Sequence, residues 1–181
     1  MALNETQEEW LEKIGKKSNA FKKVPKELVT EEFCLAAVEK SWESLEYVPV
    51  ALKTEAVCQA AMKKGIFAFE YVPETLKTVD LCKTMLEKHG SLLPYVPEKL
   101  LTEDLCIIAV KSYYLVLDKI PPALKTEAVY FAAVKKDFQA LKHVPEEMIT
   151  EAMCLAAVEQ NVEGFNYVPE ALKGKVIEAK G

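Results

Sequence analysis

Residues 25–48 read PKELVTEEFCLAAVEKSWESLEYV, residues 49–72 read PVALKTEAVCQAAMKKGIFAFEYV, and residues 145–168 read PEEMITEAMCLAAVEQNVEGFNYV. They are copies of one 24-residue unit, and Pro25, Pro49, Pro73, Pro97, Pro121, Pro145 and Pro169 keep its frame without an insertion. With each of these prolines as position 0, position 3 is Leu28, Leu52, Leu76, Leu100, Leu124, Met148 and Leu172. Position 5 is Thr30, Thr54, Thr78, Thr102, Thr126 and Thr150, and position 9 is Cys34, Cys58, Cys82, Cys106, Tyr130 and Cys154. A fixed period of this length is the mark of a stacked repeat protein and outranks local propensity as a guide to the fold.

Each unit can be read physically. Thr30 followed by Glu31 and an apolar run starts a helix: the hydroxyl accepts from an orphan amide, and the carboxylate meets the positive end of the helix dipole. Phe33, Cys34, Ala37 and Val38 share one face at helical spacing, which predicts a helix from Thr30 to Lys40. Position 16 carries Ser41, Gly65, Asp137 and Asn161, residues that end helices, so the chain turns there. A shorter helical segment follows, with Trp42, Leu45 and Val48 three residues apart, until the proline stops it and opens a Pro-x-x-Leu turn.

One such unit cannot bury enough apolar surface to offset its own ordering, so the copies must stack. The expected fold is therefore all-α, an α-solenoid of about seven two-helix repeats. It forms a single domain over residues 1–181: a capping repeat at 1–24, six regular repeats at 25–168 and a truncated copy at 169–181. The pairs Ala36-Ala37, Ala60-Ala61, Ala132-Ala133 and Ala156-Ala157 put small side chains where neighbouring helices approach closely. The first copy has Glu12-Lys13 there, keeps the register at Thr6 and Phe21, and reads Thr6-x-x-Glu9 as a capping box.

The unit Val-Pro-x-x-Leu-x-Thr-Glu-x-x-Cys-x-Ala-Ala-Val, closed by Ala-Leu-x-Tyr-Val-Pro, resembles the short tandem helical repeats of a bacterial family known only as a domain of unknown function. It is more loosely similar to the leucine-rich variant repeat, which alternates α with 3₁₀ segments. The resemblance implies an α-helical repeat fold and brings no catalytic residues with it.

Composition narrows the function. The chain is 50% apolar and 28% charged with a formal charge of -5, the wrong sign for a protein that lives on phosphate backbones or anionic lipid. The segment Met1-Ala2-Leu3-Asn4-Glu5 has no basic and apolar leader pattern, and no apolar run is long enough to span a bilayer, so the expected compartment is the cytoplasm. The five cysteines read as buried, reduced space-fillers. Equivalent positions on packed helices sit roughly 8–10 Å apart, too far for a disulfide, and no Cys-x-x-Cys or Cys/His cluster predicts zinc. His89 and His143 occupy different positions with no nucleophile in register, and Glu31-Glu32 and Glu146-Glu147 are explained as helix starts, so no catalytic or cofactor residues are assigned.

Two sets of side chains are candidates for binding a partner. Position 22 carries Tyr47, Tyr71, Tyr95, Lys119, His143 and Tyr167, each an apolar body with a polar tip. These form either an aromatic ladder along one face or a set of rings packed into the seams between repeats. The fifth unit has Leu115 where other copies have Glu43, Ser91, Gln139 or Glu163, with Phe67 the other exception, and with Ile107, Tyr113, Tyr114 and Phe131 nearby it reads as an apolar patch, or as local variation of the core. The leading expectation is a non-catalytic scaffold that binds a protein or peptide. The alternative is a self-associating module of a larger array. Single-stranded nucleic acid, bound by the tyrosines and by Lys40, Lys64, Lys88 and Lys136, is the lesser reading.

Overall fold

The computed structural model describes residues 3–180, and every regular element among them is helical. Eight α-helices occur in these residues: α1 Glu5–Lys16, α2 Glu31–Lys40, α3 Glu55–Lys64, α4 Val79–Lys88, α5 Glu103–Ser112, α6 Glu127–Lys136, α7 Glu151–Gln160 and α8 Glu170–Glu178. They fall into two compact units, residues 3–78 and 79–180. Within each unit consecutive helices pack in sequence order, as in an all-α repeat solenoid.

The expected second helix is a 3₁₀ helix. Trp42–Glu46, Ile66–Tyr71, Gly90–Tyr95, Tyr114–Lys119, Phe138–His143 and Val162–Tyr167 all take this form, and a 3₁₀ turn such as Val50–Leu52 follows most of the frame prolines. The reason is visible at Trp42, Leu45 and Val48, because three-residue spacing matches a helix of three residues per turn. Each repeat thus contributes to two layers, since α-helices pack on α-helices and 3₁₀ segments on 3₁₀ segments.

Caps fix the boundaries. Thr30, Thr54, Thr102, Thr126 and Thr150 each accept from the backbone N–H three residues on, at 3.2–3.4 Å. The same hydroxyls also donate between repeats: Thr54 Oγ1 bonds Glu31 Oε1 at 2.7 Å, and Thr126 Oγ1 bonds the Glu103 carboxylate. Helix N-termini therefore lie side by side, and the α-helices in a layer run parallel. At position 16 the backbone is extended, with φ between -150° and -154° at Gly65, Tyr113, Asp137 and Asn161, and this single residue separates α from 3₁₀. The Asp137 and Asn161 side chains then cap the 3₁₀ segments that follow, accepting from Gln139 N and Glu163 N at 2.9 Å.

Both ends of the repeat run depart from the sequence reading. Helix α1 is capped by Asn4, whose side chain accepts from Gln7 N while Gln7 Oε1 accepts from Asn4 N, so Thr6 and Glu9 are not its capping box. Starting two residues early turns the helix about its axis. Gln7, Leu11 and Ile14 face inward, and the exposed Glu9 takes no part in the core. At the other end, the segment read as a truncated copy forms α8, which follows Pro169 and buries Val176 beside Val158 and Phe165.

In the core, position 12 meets position 19 of the same repeat. Ala37, Ala61, Ala109, Ala133 and Ala157 are fully buried at position 12, as are Ser44, Ala68, Leu92 and Ala140 at position 19. A Cβ on Gly164, also position 19, would lie 2.8 Å from the Ala157 carbonyl, so this copy admits only glycine there. The alanine pairs therefore have two separate roles. The second member is buried, and the first is half-exposed at Ala36, Ala60 and Ala156, with only Ala132 buried.

Candidate functional site

The position-22 row lies in the seams wherever its contacts are defined. In residues 79–180, Tyr167 packs on Phe138 with ring centroids 6.3 Å apart and His143 on Tyr114 at 6.5 Å. His143 Nδ1 also lies 3.8 Å from Asp118 Oδ1, and Tyr114 donates to Gln139 Oε1 at 3.3 Å. In residues 3–78, Lys22 Nζ lies 4.5 Å from the centre of the Tyr47 ring. The Tyr47 phenol is held above its ordinary pKa by its hydrogen bond to Glu46, with burial adding to the effect. Tyr71 and Tyr95 are half-buried, Lys119 is exposed, and Tyr167 is 36% exposed.

The partners of this row sit at position 17 of the preceding repeat, which sequence reasoning passed over. The signal was present: Trp42, Ile66, Tyr114, Phe138 and Val162 make position 17 bulky and apolar in five of six copies. In the first unit, Trp42 lies so close to Gly65 that a Cβ there would meet its ring at 2.5 Å.

The lysines of the nucleic-acid reading lie at the other end of the repeat. Lys53 Nζ, at position 4, donates to the Tyr71 carbonyl at 3.1 Å, which puts position 22 beside the start of an α-helix. Lys40 and Lys64 end their helices, a helix length of about 15 Å away. Stacking rings and phosphate-binding charges do not share a groove here.

The fifth-unit patch is divided between the two layers. Leu115 is 45% exposed on the 3₁₀ layer, flanked by buried Val116 and Leu117. Tyr113 leans on His89 at 5.9 Å. Ile107 and Phe131 belong to the other face. In α5 the residues turned inward are Leu105, Cys106, Ala109 and Val110, so Asp104, Ile107, Ile108 and Lys111 form the outward i, i+3, i+4, i+7 stripe. The same stripe is Ala128, Phe131 and Lys135 on α6, where Ala132 is buried, and Ala152, Leu155, Ala156 and Glu159 on α7. The sequence reading missed Leu155, the third member of this row, because it assembled the patch from the chain neighbourhood of Leu115 rather than along repeat position 10.

The outward face of α5–α7 is thus apolar across its middle, with half-buried Ile107, Ile108, Phe131 and Leu155 between small alanines. Glu103, Asp104, Glu127 and Glu151 lie along the edge of helix starts, and Lys111, Lys135 and Lys136 along the edge of helix ends on α5 and α6, with Glu159 there on α7. Lys135 Nζ covers part of the Phe131 ring, 5.0 Å from its centre, while Gln160 Nε2 ties α7 to α6 through the Val134 carbonyl at 2.6 Å. The corresponding face of α1–α3 is more polar. There Ala36 and Ala60 form the floors of two open furrows of about 550 and 580 Å³, both of which reach Glu39 and Lys64.

The five thiols are buried and none is in a disulfide. Burial, with a smaller push from the Glu31 charge, raises the Cys34 pKa to about 12. Burial likewise raises Cys58 and Cys106 to about 11. These are packing groups rather than nucleophiles. Among the described residues, no three His, Cys, Asp or Glu side chains gather as metal ligands would, and no helix is long and apolar enough to cross a membrane. No family model, curated protein or solved structure matches the chain.

Proposed function

We propose that this chain is a non-catalytic interaction scaffold that binds a protein or peptide on the outward face of its α-helices. The observation that carries this reading is the apolar row Ile107–Phe131–Leu155, which crosses three parallel helices and is bordered by charge. Exposed apolar surface costs free energy in water, and a core of apolar side chains with a polar rim is the usual anatomy of a protein interface. Aromatic and branched side chains held on rigid helices lose little conformational freedom on binding. The position-22 tyrosines serve this reading as seam residues that set the spacing of the helices, not as the contact surface.

The test is to pan a random displayed peptide library on the wild-type chain and on the variant Phe131→Glu/Leu155→Glu, after both show the same far-ultraviolet circular dichroism. Sequences enriched by the wild type and lost on the variant are the expected result. Equal enrichment on both proteins would refute the assignment of this face.

A further inference from the structure

The proposed contact face has a symmetry that identifies its occupant. The α5, α6 and α7 helices occupy positions 6 to 15 of their repeats, and the apolar pair at positions 10 and 11 falls at the midpoint of each. On α5 and α6 the face therefore reads acid, apolar, base from one edge to the other, and on α7 the helix-end edge carries Glu159, held by Lys180 Nζ at 3.5 Å. Two copies of such a face can meet about a two-fold axis lying in the contact plane. An axis parallel to the helices would set acid on acid and base on base. An axis running across the helices, along the apolar row, lays that row on itself and turns the acidic edge of one copy onto the basic edge of the other.

We infer that the partner on this face is a second copy of the chain, with helices antiparallel to the first and the two-fold axis along Ile107–Phe131–Leu155. This deepens the scaffold reading and rests on it. In this arrangement Asp104 and Glu103 face Lys111 of the partner subunit, and Glu127 faces Lys135 and Lys136 of the partner subunit, each contact occurring twice by symmetry. The helix dipoles oppose one another as well. Their complement within one chain explains why acids start all three helices and lysines end α5 and α6, but not why the middle of this face is apolar. In α4 the outward stripe is Asp80, Lys83, Thr84 and Glu87, polar throughout, so the apolar row stops where α5 begins. Ala128 at the acidic edge of α6 leaves room for the partner's long lysines.

The size of the face sets the strength. Three ten-residue helices, each about 15 Å long and roughly 9 Å apart, present about 400 Å² per copy. A stable complex usually needs about 800 Å² a side, so the association is weak and concentration-dependent.

Sedimentation velocity across about 1–500 µM chain, in low and high salt, tests the inference, using Lys111→Glu/Lys135→Glu, which puts glutamates on the basic edge, and Asp104→Lys/Glu127→Lys, which puts lysines on the acidic edge. The wild type should shift from monomer to dimer with concentration, and less so at high salt. Each variant alone should dissociate at least about tenfold more readily, and an equimolar mixture of the two should recover a one-to-one heterodimer. Circular dichroism of each variant separates lost pairing from lost fold. A wild type that stays monomeric to the top of the range would overturn the inference, as would single variants that dimerise as well as the wild type. Peptide enrichment that still depends on Phe131 and Leu155 in a strictly monomeric chain would leave the scaffold reading standing and remove only the second copy.

Discussion

Ser44 is fully buried at position 19, and its Oγ has no hydrogen-bond partner. The same position holds Ala68 and Ala140, both fully buried, so the backbone frame accepts alanine without change. The Ser44 carbonyl is already engaged by Tyr47 N at 2.9 Å and Val48 N at 3.2 Å, and those bonds do not involve the hydroxyl. An unpaired buried hydroxyl costs about 1–3 kcal/mol relative to water. Ser44→Ala removes that cost and opens only the space of one oxygen, so a net gain of roughly 1–2 kcal/mol is expected. For a chain of this length that corresponds to a rise of about 2–8 °C in Tm. The assay is urea unfolding followed by circular dichroism at 222 nm, with the midpoint shifted and the slope unchanged. The reciprocal change Ala68→Ser should lose a similar amount. A Ser44→Ala chain less stable than wild type by more than about 0.5 kcal/mol would refute the reasoning, because it would mean that the hydroxyl has a partner in the folded state.

Two further outcomes follow from the packing. A Cβ on Gly90 would lie 2.0 Å from the Ala109 carbonyl oxygen, a backbone atom that cannot move aside, so Gly90→Ala should lower Tm by roughly 5–10 °C, whereas Gly174→Ala, in open space on α8, should be neutral or stabilising. The thiols add a pH dependence with a definite sign. The folded chain keeps protons on Cys34, Cys58 and Cys106 up to pKa values of about 12, 11 and 11, whereas the unfolded thiols release theirs near 9.0. The folded state then binds more protons than the unfolded state. This contribution to stability is therefore full below pH 9 and is lost as pH climbs toward 12, by up to about 1.4 kcal/mol per pH unit for each thiol. In the folded protein at pH 8, Ellman's reagent should find none of the five thiols, and all of them after urea is added. Rapid labelling of two or more without denaturant would contradict the packing role.

Helix boundaries were legible in the sequence where the chemistry is local. Threonine caps, the Glu that follows them, the break at position 16 and the stop at each proline all depend on groups within a few residues, and each is found where the 24-residue frame put it. The same logic misplaced the start of α1, because Asn4 offered a better cap than Thr6 and a two-residue shift rotates every side chain on the helix. The apolar patch of the fifth unit was assembled from neighbours in the chain, and Leu115 and Ile107 proved to lie on different layers.

What the sequence determined by itself is the repeat: its period, its helical class, and which side of α2 to α7 turns inward, since these rest on spacing and on caps that each copy carries. Only the tertiary structure decided that the second segment is 3₁₀, that position 17 receives the position-22 ring of the following copy, and that position 12 meets position 19. It also decided that Ile107, Phe131 and Leu155 line up on one face. The ring contacts and the apolar row join residues 24 to 29 apart across a seam, as in Ile107 to Phe131 or Tyr114 to His143, and a relation of that kind is fixed by how the layers stack rather than by the order of residues along the chain.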